Sequence, residues 1–457
     1  MNHRQLVAAC STLHTPETHL CYFTTPIFTR SDGESFMRKL MYWCLVAITV
    51  CTSATSQAAE FFFKNGDVVV MIGDSITEQH LYSNYVEMWT VTRFPSWKLT
   101  FRNVGIGGDR SPGGNSRFAR DVLIHKPTAM TADFGMNDGG YGGFQENVFK
   151  TYMDGLQGMA DQAKKSQIRT AWVTPQPLDT GDQGPTALVA YNQTLEKFSE
   201  GVKAIAEKNE GLFVDQFHPY LAVLDAARAK GPKYDRITSG DAVHPGPPGQ
   251  ALMAAAILRG LHFPTLVSAA EIDAAGGKVV SASNCQIEAV SAKDGGVSFT
   301  RLDGALPFFP SEAVSILPHA PILEELNDYR LKVTGLTEGK YSVRIGGKAI
   351  AERTSEQLTA GTNLAMEALA DGPIAEQAKA VKAAVENKNR FHHDQIFRGI
   401  VLSNVPGWVH EVIPATELEA RKQAIIAERL AKLSALDAEV SKTLVMKAQT
   451  FEIVPVK

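Results

Sequence analysis

Between Phe61 and Pro264 the chain alternates short apolar runs with helix-length segments, and this alternation is the strongest constraint on its fold. The apolar runs are Val68–Ile72, Lys98–Val104, Ala129–Phe134, Ile168–Thr174 and Leu212–Val214. Helical stretches are predicted over about Tyr82–Arg93, Asn115–Lys126, Asn147–Lys165, Tyr191–Lys208 and Ala251–Leu261. Runs this short and apolar lack the polar alternation of a sheet with one wet face, so they read as strands buried on both sides. The pattern predicts an α/β domain with a parallel sheet covered on both faces.

The pattern changes after Pro264. Lys278–Val280, Gln286–Val290, Val297–Leu302, Tyr329–Val333 and Tyr341–Ile345 alternate or carry β-branched residues, and turns such as Asp294-Gly295-Gly296, Asp303-Gly304 and Gly346-Gly347 separate them. A small antiparallel unit is expected there. From about Asn363 the chain reads as helical again. Ile426, Leu430, Leu433, Leu436, Val440 and Leu444 recur near helical spacing, which predicts an amphipathic helix packed on its own protein. The expected division is an extension with a signal peptide (1–58), a catalytic domain (59–264), a β-rich accessory region (265–362) and a helical C-terminal region (363–457).

Arg38 and Lys39 precede an apolar run, Leu40–Val50, and small or polar residues follow as far as Ala59. That is the layout of a secretory signal, with Ser56 and Ala58 suiting cleavage after Ala58. Met37 stands directly before the basic pair and is the expected start. The competing reading is a cytoplasmic tail with a short membrane anchor, for which the run is too short to span comfortably. Cys10, Cys21, Cys44 and Cys51 lie in the part to be removed, which leaves Cys285 without a disulfide partner. An exported protein with no stable membrane insertion is expected. A net charge of −4 gives no general attraction to phosphate backbones, so nucleic acid is not an expected partner.

The Val68 run ends in Gly73-Asp74-Ser75-Ile76-Thr77, which sets Ser75 at the carboxyl end of a strand, where open α/β sheets hold their chemistry. In isolation this reads as readily as a helix cap. An acyl-transferring serine also needs a base, an orienting carboxylate and oxyanion donors. Asp241 and His244, three apart in a short loop, suit the first two roles. Asp215 and His218 form a competing pair, read as a strand-end aspartate and a structural histidine before Pro219. Donors are available from the glycine loop Gly105-Ile106-Gly107-Gly108 and from Asn137 in Gly135-Met136-Asn137-Asp138. Arg110 stands where a dinucleotide loop needs its third glycine. There is no Gly-x-Ser-x-Gly elbow, no P-loop and no His-Glu-x-x-His. His392, His393 and Asp394 are adjacent on a predicted helix and diverge, so they read as a solvated face and not a metal cluster.

Gly73-Asp74-Ser75, the Gly108 loop, Gly135-x-Asn137-Asp138 and Asp241-x-x-His244 stand in the order and approximate spacing of the SGNH hydrolases, also called GDSL-type esterases, and the chain resembles that family over about Val68–Leu261. The resemblance implies a three-layer flavodoxin-like sheet, with Ser75 as nucleophile, His244 as base and Asp241 as its orienter. It implies an oxyanion hole of the Ser75 and Gly108 N–H groups and the Asn137 amide, with Gly107 an alternative to Gly108. Asp74 is expected to brace the turn only. The expected function is a secreted serine esterase that needs no cofactor or metal and removes short acyl groups, acetyl foremost, from a small-molecule or polysaccharide ester. A lipase or thioesterase, an acyltransferase, and a non-catalytic binding protein are the alternatives.

Overall fold

Strand β1, Val68–Gly73, sends alternate side chains to opposite sides: Val69 and Met71 enter one apolar cluster, Val70 and Ile72 the other. That two-sided burial is the reason its sequence is uniformly apolar. The computed structural model describes residues 59–181, 187–231 and 235–456; the signal-type segment and the four N-terminal cysteines lie outside them. Around β1, strands β2 (Thr100–Asn103), β3 (Ala129–Asp133), β4 (Arg169–Val173) and β5 (Leu212–Val214) form a five-stranded sheet in the order β2-β1-β3-β4-β5. Every pairing in it is parallel. This is the flavodoxin-like order, with its topological switch between β1 and β3.

Helices α1 (Ser75–Glu78) and α2 (Leu81–Arg93) follow β1. Next come α3 (Ser111–Asp121), α4 (Glu146–Lys165), α5 (Ala187–Lys208), α6 (Phe217–Arg228) and α7 (Pro247–Gly260). Residues of α2 and α7 pack one face of the sheet, those of α3 and α4 the other. The three-layer α/β expectation is met. Helix α6 was not among the expected helices; Pro219 sits in its first turn, where a missing N–H costs no hydrogen bond.

The region after Pro264 departs from a single antiparallel unit. Strands β6 (Leu266–Asp273), β7 (Lys278–Ser283), β10 (Asp328–Thr334) and β13 (Thr362–Asn363) form one sheet in the order β13-β10-β6-β7. Strands β8 (Cys285–Lys293), β9 (Gly296–Asp303), β11 (Lys340–Ile345), β12 (Lys348–Thr354) and β14 (Gln449–Pro455) form a second in the order β12-β11-β14-β9-β8. Strands β6 and β10 pair in parallel, a long-range connection that turn signals cannot reveal. The C-terminal stretch is not wholly helical either: β14 returns to pair with β9 and β11.

Before that strand, α8 (Pro373–Phe391), a π-type segment (His392–Val401) and α9 (Ala415–Thr443) pack onto the first domain. Val381, Val385, Val440 and Leu444 join the core beside α2 and α7. Ile396, Phe397, Ile426 and Leu433 join the opposite one. The amphipathic helix packs on its own protein, as its spacing predicted. Polar anchors fix the docking: Lys388 on α8 pairs with Glu87 on α2, both side chains at most 3% exposed. Arg102 on edge strand β2 meets Asp437 on α9 (Nη1–Oδ1 3.0 Å).

Candidate active site

The turn after β1 is built by Asp74. Its Oδ1 accepts the Ile76 N–H at 3.0 Å and caps α1, which leaves Ser75 as the first helical residue at the sheet's carboxyl edge. Ser75 Oγ lies 2.9 Å from His244 Nε2. The other ring nitrogen, Nδ1, lies 3.1 Å from Asp241 Oδ2. Asp241 Oδ1 accepts the N–H groups of Val243 at 2.8 Å and His244 at 2.6 Å, and Asp241 N–H returns a bond to the His244 carbonyl at 3.2 Å. A carboxylate tied to the backbone of its own loop presents its second oxygen to the ring in one orientation.

Gly240 makes that loop possible. Its φ is +69°, and a Cβ there would lie 2.2 Å from the His244 carbonyl oxygen. The loop is then held against the serine turn by Gln250 on α7, whose Oε1 accepts the Tyr82 N–H at 3.0 Å and whose Nε2 donates to Gln79 Oε1 at 2.5 Å.

The two donor loops also converge. Gly107 N–H donates to Glu78 Oε2 at 2.6 Å, whereas Gly108, exposed and at φ +73°, has no acceptor against its N–H among the described residues. Asn137 Nδ2 donates to the Asp109 carbonyl at 3.1 Å and, at 3.3 Å, to Asp74 Oδ2; its Oδ1 accepts the Tyr141 hydroxyl at 2.9 Å. Tyr141 thus fixes which end of the amide faces the serine turn. Ser75, at the start of α1, and Gly108, Asn137, Asp241 and His244, on loops, all lie at the carboxyl end of the sheet.

A family model of GDSL-like lipases/acylhydrolases matches residues 71–252. Residues 71–252 are an SGNH (GDSL-type) hydrolase domain. An acetylxylan esterase of Geobacillus stearothermophilus is 25% identical over 221 residues, spanning 44% of this chain and 95% of that protein. A solved structure of a gut microbial diltiazem-metabolizing enzyme, 25% identical, superposes with a TM-score of 0.74 over 88% of this chain and 100% of that one. The SGNH chain is therefore a carboxylic ester hydrolase whose likeness to that structure runs well beyond the catalytic domain.

The electrostatics of this SGNH site divide by depth. Burial drives Asp74 from 3.8 up to about 7, with help from the charges of Asp138 and Asp109. Burial likewise raises Asp138 to about 6, and Asp133 well above the ordinary range. Asp241 sits at the surface, its side chain 66% exposed. What little burial it has pushes upward, and the hydrogen bonds from the His244 backbone, the His244 ring and the Val243 backbone outweigh it, holding Asp241 below the ordinary carboxylate range. Among these aspartates, the one held in its charged form is the one behind the histidine.

Ser75, Asp241 and His244 open onto a cavity of about 730 Å³ whose other walls are Glu78, Gln79, His393 and Arg398. A separate cavity of about 610 Å³, lined by residues such as Phe62, Lys164 and Asn209, holds none of these groups. His393 and Arg398 belong to the C-terminal π-type segment, so the helical region borders the site, which sequence order alone cannot reveal. Glu78 was legible in principle, since it stands three residues after Ser75 on one helical turn.

One expectation fails here. His392 does not sit on a solvated face: it is 1% exposed, with Nε2 3.3 Å from His125 Nε2 and its ring stacked on Phe397. Burial pushes its pKa well down and keeps the imidazole neutral. The wide turn presses this side of the segment into the core while His393 turns toward the cleft. No group of three or more metal-ligating side chains is gathered among the described residues.

Proposed function

We propose that this hydrolase is an exported serine esterase that removes short acyl groups, acetyl foremost, from carbohydrate or similarly polar esters, with Ser75, His244 and Asp241 as its triad. The Ser75–His244–Asp241 chain of contacts, 2.9 and 3.1 Å long, carries the reading. Ser75 Oγ attacks the ester carbonyl as its proton passes to His244 Nε2, and Asp241 stabilises the resulting imidazolium. The N–H groups of Ser75 and Gly108 and the Asn137 amide hold the tetrahedral oxyanion. His244 then protonates the departing alcohol, and water, activated by the same imidazole, releases the acid.

The substrate class rests on three supports. The open cleft is walled by Glu78, Gln79, Asp241, His393 and Arg398, side chains suited to hydroxyl-rich ligands. The similar protein from Geobacillus stearothermophilus is an acetylxylan esterase. Export follows from the predicted signal segment, which lies outside the described residues. Among the described residues no helix is long and apolar enough to cross a membrane. A small-molecule or polysaccharide ester is the proposed partner, and nucleic acid is not.

Turnover of p-nitrophenyl esters of rising acyl length, beside acetylated polysaccharides, tests the reading. Acetyl preference with acetate release from a polysaccharide supports it, and preference for long chains overturns it. Amino-terminal sequencing of protein recovered outside the cytoplasm tests export, with residue 59 as the expected first residue.

A further inference from the structure

We propose that Glu78 is a positioning residue that sets the glycine loop of the oxyanion hole and places that loop under the control of the C-terminal helices through Arg398. The inference rests on the serine-esterase reading above. Glu78 ends the single turn that Ser75 begins, so both side chains lie on one face and line one cavity. Its two carboxylate oxygens are divided between two distant segments. Oε2 accepts the Gly107 N–H at 2.6 Å. Oε1 receives the Arg398 fork, Nε at 2.7 Å together with Nη2, and His393 Nε2 stands 3.7 Å away.

Two consequences follow for catalysis. Gly107 spends its N–H on Glu78, so the donor left for a substrate oxyanion is Gly108, and the bond to Glu78 fixes where Gly108 points. Glu78 also carries a negative charge in the cavity where the oxyanion develops. Arg398 offsets that charge, and its guanidinium comes from a segment joined to the opposite core through Ile396 and Phe397. The C-terminal helices thereby complete the electrostatics of a site whose reacting groups all come from the first domain.

The test compares Glu78→Ala, Glu78→Gln, Arg398→Ala and Arg398→Lys in the full chain on p-nitrophenyl acetate, with Ser75→Ala as control. Glu78→Ala is expected to lower kcat by about 10- to 100-fold, below the loss of a whole oxyanion donor, with KM moved less than about threefold. Glu78→Gln keeps an acceptor for Gly107 and recovers part of kcat. Arg398→Ala lowers kcat about three- to tenfold by exposing the Glu78 charge, Arg398→Lys restores most of it, and Arg398→Ala has no further effect in the Glu78→Gln background. A kcat within twofold of wild type for Glu78→Ala, or equal losses from Arg398→Ala in both backgrounds, overturns the proposal. If Ser75→Ala remains active, the esterase reading itself falls; if it is dead while Glu78→Ala is unimpaired, only this inference does.

Discussion

The molecule contains the same local device twice. In Asp215/His218 and in Asp241/His244 an aspartate three residues upstream of a histidine bonds both its backbone N–H and its Nδ1. The distances are 3.1 and 2.8 Å in the first pair, 2.6 and 3.1 Å in the second. The difference lies at the outer nitrogen: His244 Nε2 faces Ser75 Oγ at 2.9 Å, while His218 Nε2 has Glu196 Oε1 at 3.9 Å. The first pair opens helix α6 straight after β5, and its ring lies nearest Glu196 on α5. The second sits in a loop returned to the β1 turn by Gly240 and Gln250. An oriented imidazole is easily made, and the position of its free nitrogen decides whether it works as a base.

The largest effects separate the pairs by their partner. Ser75→Ala and His244→Ala are each expected to cut kcat on p-nitrophenyl acetate by about 10⁴-fold or more, because nucleophile and base act as one unit. A loss under tenfold in either would put the base elsewhere and restore Asp215/His218 as a contender. Asp241→Asn is expected to cost less, about 10²- to 10³-fold, since this carboxylate is largely exposed to water and solvent takes over part of its work. Steady-state kinetics with matched thermal midpoints distinguishes these losses from unfolding.

A smaller effect comes from what lies beneath each pair. Asp74, under the Ser75 turn, has a folded-state pKa of about 7 against an ordinary 3.8. The folded chain therefore holds this proton more tightly than the unfolded one. That contribution is complete below about pH 4 and is lost as pH rises through about 7, an effect on the order of a few kcal/mol for a fully buried group. Melting temperature followed from pH 4 to 8 is expected to show a decline that Asp74→Asn flattens and Asp215→Asn leaves in place. An unchanged slope in Asp74→Asn would assign the decline to Asp133 or Asp138.

What the sequence made legible follows the range of the interactions. The five parallel strands, the serine turn and the Asp241 loop are specified within a few residues, by uniform apolarity in β1 and by glycine and aspartate at fixed offsets. The parallel β6–β10 pairing, strand β14, the burial of His392 and the approach of Arg398 to Glu78 join segments tens to hundreds of residues apart. No local pattern encodes them. His392 is the instructive failure: diverging neighbours on a helix read as solvated only when nothing covers the helix, and here the π-type segment is pressed against the first domain.

The smallest expected effect gives the comparison its sharpest edge. His218→Ala removes an imidazole that is 54% exposed and touches Asp215 and, at 3.9 Å, Glu196. Exposed pairs of this kind contribute about 0 to 1 kcal/mol, so the melting temperature should barely move. Neither nitrogen meets Ser75, so kcat and KM should both stay within about twofold of wild type. The measurement is informative because the two pairs are locally so alike. If His218→Ala did lower kcat with KM unchanged, local Asp-x-x-His geometry would suffice for function, and the 2.9 Å contact between Ser75 and His244 would no longer single out the base. If activity is retained while His244→Ala is dead, what distinguishes base from structural histidine is the return of its loop to the serine turn.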